Sequence, residues 1–293
     1  MIRSALYMLI ALTTITTNSC HPGEALNKKT IISVSILPQK YFIEKLAGDN
    51  VDINVLIPPG ASPATYEPTL TQLTKLVQSN VYMKIGYIGF ELSWMDRILS
   101  VNPDMKIIDL SSGIETILQE SNTQEKHHGH AHGGVDPHIW MSAVNAKIIA
   151  ENIYQELILL LPHKKDFLKI RYMKLEEELD SLHLLFSNGL KELNQRSFLI
   201  YHPALTYFAR DYGLYQYALE IEGKTPSPAH LKKIIDLGRE KNINSIFIQT
   251  QFDRRNAEIL AAEINAEIIP FDPLDEEWDK QMLYIAKQFN RSL

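Results

Sequence analysis

The sequence predicts an α/β protein of two (β/α)4 lobes with parallel-type sheets, joined by a long rigid backbone helix. Three observations carry that expectation. Short Ile- and Val-rich runs alternate with amphipathic segments over residues 31–110, the βαβα rhythm of a mostly parallel sheet covered by helices. The same rhythm returns over residues 197–271. Between them, residues 163–193 form an amphipathic stretch that no Pro or Gly interrupts before Gly189. As a helix it spans roughly 45 Å at 1.5 Å per residue. A chain of 293 residues also exceeds one typical core, which agrees with two lobes.

Residues 1–20, "MIRSALYMLIALTTITTNSC", carry the basic Arg3 and then an apolar run over 5–12. That run is too short for a bilayer-spanning helix, which takes about 20 residues, and it reads as the core of a signal peptide. Cys20 is the only cysteine, so no intrachain disulfide forms. Its position resembles the acyl-accepting residue of a bacterial lipoprotein, although Thr17 stands where such signals usually carry Leu. The plainer alternative is a free cysteine beside an ordinary cleavage site. Diacylation at Cys20 would supply the multiple-chain anchor that stable membrane attachment needs.

Residues 21–29 read as a polar tether, and 30–162 as an N-terminal lobe. Its strand candidates are 31–37, 51–57, 81–85 and 106–110, with helical patterns at 39–47 and 70–78. The linking helix is expected over 163–194. Its apolar stripe is Phe167, Ile170, Leu175, Leu179, Leu182, Phe186, Leu190 and Leu193, mostly three and four apart. The C-terminal lobe, 195–293, has strand candidates at 197–201, 215–219, 245–249 and 268–271, and helices at 206–211, 230–241 and 255–264. A helical strut between lobes resists the wide hinge closure that a flexible linker permits.

With 45% hydrophobic and 22% charged residues, the composition is that of an ordinary globular protein. The net charge of −6 and the lack of any Lys/Arg block argue against nucleic-acid binding.

The residues able to do chemistry cluster around histidine. "HHGHAHGGVDPHIW", residues 127–140, holds His127, His128, His130, His132 and His138, five of the ten histidines. The glycine-studded run within 127–134 has no stable fold of its own and reads as a low-affinity collector of metal, or else as a solvated loop binding metal only incidentally. In "DPHIW" a proline fixes the turn and presets one imidazole, as a metal ligand requires. His202 follows the fifth strand candidate directly, and Asp272 lies just past the last one. Ligand groups of open α/β sheets sit at such carboxyl ends. Mixed N/O ligation suits Zn(II) or Mn(II). His21, His163, His183 and His230 are given no place in the site.

"GASPATYEP", "DPHIW", "YHPALTYFARDYGL", "EGKTPSPAHL" and "FDPL", in this order, resemble the zinc/manganese-binding solute-binding lipoproteins of ABC importers, the cluster A-I group. The resemblance runs from about Ile31 to the C-terminus. It implies a metal cleft between the lobes, three histidines and a carboxylate as ligands, and delivery of Zn(II), with Mn(II) second, to ABC permease and ATPase subunits. Residues 1–20 add the expectation of export to the periplasm or cell surface with an anchor through Cys20, and the chain is expected to be a monomer. Position by position, His138, His202 and Asp272 match ligands. The first ligand does not carry over: relatives with an intact site read Ser-Pro-His where this chain reads Ser62-Pro63-Ala64. Water, Glu67, or a histidine of 127–132 could take that place, or the site is degraded. Two further readings stand beside the receptor: a metal-dependent hydrolase with Glu67 as general base, and an adhesion lipoprotein. No HExxH or other hydrolase signature is present.

Overall fold

The structure, a computed structural model, describes residues 29–118, 134–220 and 226–292. The first sheet contains β1 (Thr30–Val34), β2 (Val51–Val55), β3 (Val81–Lys84) and β4 (Lys106–Asp109), in the order β2-β1-β3-β4. The second contains β5 (Ser197–Ile200), β6 (Tyr215–Ala218), β7 (Ser245–Gln249) and β8 (Glu267–Phe271), in the order β6-β5-β7-β8. All pairings are parallel. β5 and β7 are buried along their whole length, as strands covered on both faces must be. The expected architecture of two four-stranded parallel sheets with a long helix is what the chain adopts.

The helices are α1 (Leu37–Ala47), α2 (Leu70–Leu76), α3 (Gly89–Val101), α4 (Ala143–Leu160), α5 (Lys165–Lys191), α6 (Thr206–Tyr212), α7 (Pro228–Glu240), α8 (Arg255–Ile264) and α9 (Trp278–Ser292). Among the described residues, none is long and apolar enough to cross a membrane. The first strand is shorter than expected, because α1 already begins at Leu37. Pro38 sits in the first turn, where its missing N–H costs nothing. The Gln39 side chain accepts from Ser35 N (2.9 Å) and Ile36 N (3.0 Å) and donates to Met83 O (2.6 Å), turning the chain out of the sheet.

The 27 residues of α5 span about 40 Å. Its buried positions are Leu168, Leu175, Leu179, Phe186 and Leu190. This seven-four rhythm replaces the expected start of the stripe: Phe167 is 39% and Ile170 is 70% exposed. Phe167 lies instead under the Arg171 guanidinium, 5.5 Å from it. Arg171 also donates to the last carbonyls of α1, at Lys45 O (2.6 Å) and Glu44 O (2.9 Å). α4 lies alongside α5, with Tyr154 stacked on Tyr172 at 4.5 Å and Lys147 paired with Asp180 at 2.6 Å.

One hydrophobic core embraces both sheets. Ile32, Val34 and Met83 from the first join α5 and then Phe198, Ile200, Phe247 and Phe271 from the second. Side chains alternate along a strand, so Leu199, Ile246 and Ile248 face the other way and form a smaller core beneath α7 and α8. Phe289 of α9 closes the central core, 4.9 Å from Phe198 and 4.7 Å from Phe247.

In each sheet the strand order reverses, between β1 and β3 and between β5 and β7, and these reversal points open the crevice where α/β sheets bind ligands. In the first lobe Glu91 holds that point together. Its buried carboxyl accepts from Ile85 N (2.8 Å), Gly86 N (2.7 Å) and the Ser35 hydroxyl, joining the ends of β1 and β3 to α3. Burial pushes its pKa from 4.5 up to about 7, against the pull of those donors. From about pH 4.5 to 7 the unfolded chain releases this proton while the folded chain keeps it. Stability from this group is therefore full below that window and is lost as pH rises through it, by about 3 kcal/mol. Denaturant unfolding between pH 5 and 8 should show this decline, and Glu91→Gln should flatten it.

Candidate metal centre

The loops that enter the crevice each have a local reason for their shape. After β4, the segment 136–140 turns on Pro137, and Asp136 Oδ1 accepts from both His138 N and His138 Nδ1, at 2.9 Å each. After β5, His202 is held by Gln249, which accepts from His202 N (3.3 Å) and donates to His202 O (2.6 Å). The His202 ring stacks on Phe252 at 5.4 Å, and its Nδ1 meets Glu220 Oε2 at 2.7 Å. The two imidazoles lie with centroids 5.1 Å apart and planes at 70°.

Each ring thus spends Nδ1 on a buried carboxylate. A carboxylate fixes the proton on the nitrogen it faces, leaving the Nε2 lone pair available. Burial pushes the His138 pKa below its ordinary value and outweighs the pull of Asp136, with His202 acting in the same direction as burial. His138 is therefore neutral at pH 7, the state in which imidazole can ligate. Asp136 stays ionised: burial opposes its charge, but His138 and the backbone donor outweigh that cost.

Two tryptophans anchor the His138 loop. Trp140 Nε1 donates to Pro273 O at 2.7 Å, and Trp278 Nε1 donates to Trp140 O at 2.8 Å. Both indoles are fully buried, and Trp278 packs on Tyr41 and Phe42 of α1. Tyr207 of α6 adds a third tie, donating to Asp136 O at 2.9 Å and accepting from Ile117 N at 3.1 Å.

His138 and His202 line a cavity of about 220 Å³ together with Ala64, Trp140, Glu220, Gln251 and Phe252. Asp272 is close by in sequence to the lining residues Pro273 and Leu274, but is not itself among them. Its Oδ1 accepts from Leu274 N and Gln251 Nε2, both at 2.8 Å. Among the described residues, no three His, Cys, Asp or Glu side chains converge closely enough to hold a metal between them. Glu67, offered by the sequence both as substitute ligand and as general base, is exposed and lies outside the lining. His127, His128, His130, His132 and Cys20 lie outside the described residues. The sequence reading missed Asp136 and Glu220. Glu220 follows β6 at its carboxyl end, so the strand-end rule that picked out His202 could have found it.

Two doubly wound lobes around one long helix, with paired imidazoles in the crevice, define a two-lobed solute-binding protein. The chain belongs to the family described as zinc-uptake complex component A, periplasmic (ZnuA), whose model matches residues 32–288. It is 28% identical over 270 residues to a protein of Chlamydia muridarum named as metal-binding, covering 92% of this chain and 93% of that one. It is 28% identical over 285 residues to the high-affinity zinc uptake system protein ZnuA of Bacillus subtilis, covering 92% and 88%. A crystal structure of ZnuA superposes with a TM-score of 0.83 at 36% identity, covering 90% of this chain and 99% of that one.

Trp278→Phe keeps the ring's bulk but removes the donor to Trp140 O. Leaving that buried carbonyl without its partner should lower unfolding free energy by about 1–3 kcal/mol, measured by denaturant unfolding.

Proposed function

We propose that the protein is the substrate-binding component of a metal ABC importer, capturing Zn(II), with Mn(II) second, outside the cytoplasmic membrane. It then hands the ion to permease and ATPase subunits and catalyses no reaction itself. His138 and His202 bind through Nε2, and Asp272 joins them by giving up its turn contact with Leu274. The observation that carries this reading is the pair of facing imidazoles, each with Nδ1 held by a buried carboxylate. Zinc–nitrogen bonds of about 2.0–2.1 Å at tetrahedral angles put two bound ring centroids about 5 Å apart. Their separation of 5.1 Å suits one shared ion. Membership of a zinc-uptake family and the zinc named for the Bacillus subtilis relative support the same cargo.

In this proposal the chain works as a monomer, with lobes 30–162 and 195–293 on either side of the linker 163–194. A signal peptide over 1–20 exports it, and Cys20 carries the lipid anchor at the end of the tether 21–29. The run His127, His128, His130 and His132 gathers zinc for the site.

Zinc titration of the purified protein tests the site. Wild type should bind one equivalent tightly, with any zinc on the histidine run of 127–132 held far more weakly. His138→Ala and His202→Ala should each weaken binding more than about 100-fold, and Glu220→Gln, which loosens the His202 ring, by about 10–100-fold. A double His138→Ala/His202→Ala variant that still binds zinc like wild type would sink the assignment. Zinc should also displace manganese from the loaded protein at equal concentration, following the order of divalent-metal affinities.

A further inference from the structure

The pocket is larger and less polar than a bare ion needs. Zinc takes four donors, and a tetrahedral site with two protein nitrogens needs only two more. The cavity of about 220 Å³ is far larger than a lone ion fills. Its walls include Pro63, Ile88, Trp140, Phe252 and Leu274. A bound water needs two to four polar partners, and these surfaces supply none. Ala64 faces the same space and carries no donor, while Ser62 and Thr65 put hydroxyl-bearing residues on its rim.

We propose that the pocket takes a divalent cation together with a small amino-acid-type chelator, whose nitrogen and carboxylate donors complete the coordination that Ala64 leaves open. This rests on the zinc-receptor reading above and names its cargo more closely. Two donors from the chelator and two imidazoles make four, and Asp272, joining as proposed above, makes a fifth, a number zinc also accepts. The apolar walls meet the organic body of the chelator. Charge limits the class. Asp136 and Glu220 lie buried behind the imidazoles. A dication with a singly charged carboxylate arrives with net positive charge and is attracted, whereas a polyanionic complex is repelled. The chelator is bound through the metal, so it has little hold on the protein alone.

The test uses the full chain with three probes: zinc chloride, L-histidine, and the two together, followed by native mass spectrometry and calorimetric titration. The expected result is a ternary species of protein, zinc and histidine. Zinc affinity, corrected for zinc–histidine complexes in solution, should be at least about 10-fold tighter with L-histidine present. L-histidine without zinc should not bind. Ala64→His, at an exposed position that tolerates the change, should bind zinc alone at least about 10-fold tighter and lose the ternary species. If zinc binds stoichiometrically through His138 and His202 while L-histidine only competes for it, this inference falls and the receptor reading stands. If no zinc is retained with or without L-histidine, both fall.

Discussion

Two indole hydrogen bonds, Trp140 to the Pro273 carbonyl and Trp278 to the Trp140 carbonyl, are the constraint on which the crevice depends. The two tryptophans lie 138 apart in the chain, and each indole donates one hydrogen bond across that gap. Trp140 reaches across to Pro273, beside Asp272, while Trp278 reaches back to the backbone two residues beyond His138. The loop that presents one imidazole and the loop that holds the carboxylate are therefore a single fixed unit. A buried indole whose N–H lacks a partner is costly, so neither loop can slide without breaking a satisfied pair. Tyr207 holds the same segment from α6. The position of His138 is a tertiary fact long before it is a chemical one.

The two carboxylates behind the imidazoles do different work from a ligand. Asp136 and Glu220 face Nδ1, so they orient each ring and raise the basicity of the opposite nitrogen. Burial acts the other way on His138 and keeps the proton off at neutral pH. The balance leaves a neutral ring with a defined free nitrogen. Asp272 differs from both: its charge goes into a turn with Leu274 and a bond to Gln251. In the proposed site it would ligate only after a local rearrangement that the two histidines do not need.

Much of the architecture was legible in the sequence because parallel strands buried on both faces read as short Ile- and Val-rich runs. All eight were found at nearly the right places. The errors have physical causes. β1 was read too long because Gln39 and Pro38 turn the chain into α1 while apolar residues continue. Apolar residues of α4 such as Ile148, Tyr154 and Ile158 spread beyond one stripe and still pack on the core, which blurs its period. α9 carries a clear helical signal, with Trp278, Met282, Ile285 and Phe289 four, three and four apart. His138 and His202 were visible from a rigid Asp-Pro-His turn and a strand end. That Glu220 would meet His202 depends on β6 lying beside β5, a pairing no local pattern announces. The bonds that Trp140 and Trp278 donate are equally remote in sequence.

The undivided core around α5 has an evolutionary side. A domain that owns its interior can be copied, swapped or fused elsewhere without exposing oily surface. Here either half taken alone would present to water the apolar face of α5 and the aromatic cluster of Phe198, Phe247 and Phe289. The two halves therefore depend on each other for burial, and the crevice loops are where a substitution disturbs that shared interior least. Position 64, an alanine on an exposed loop, is the kind of place where such change costs the scaffold least.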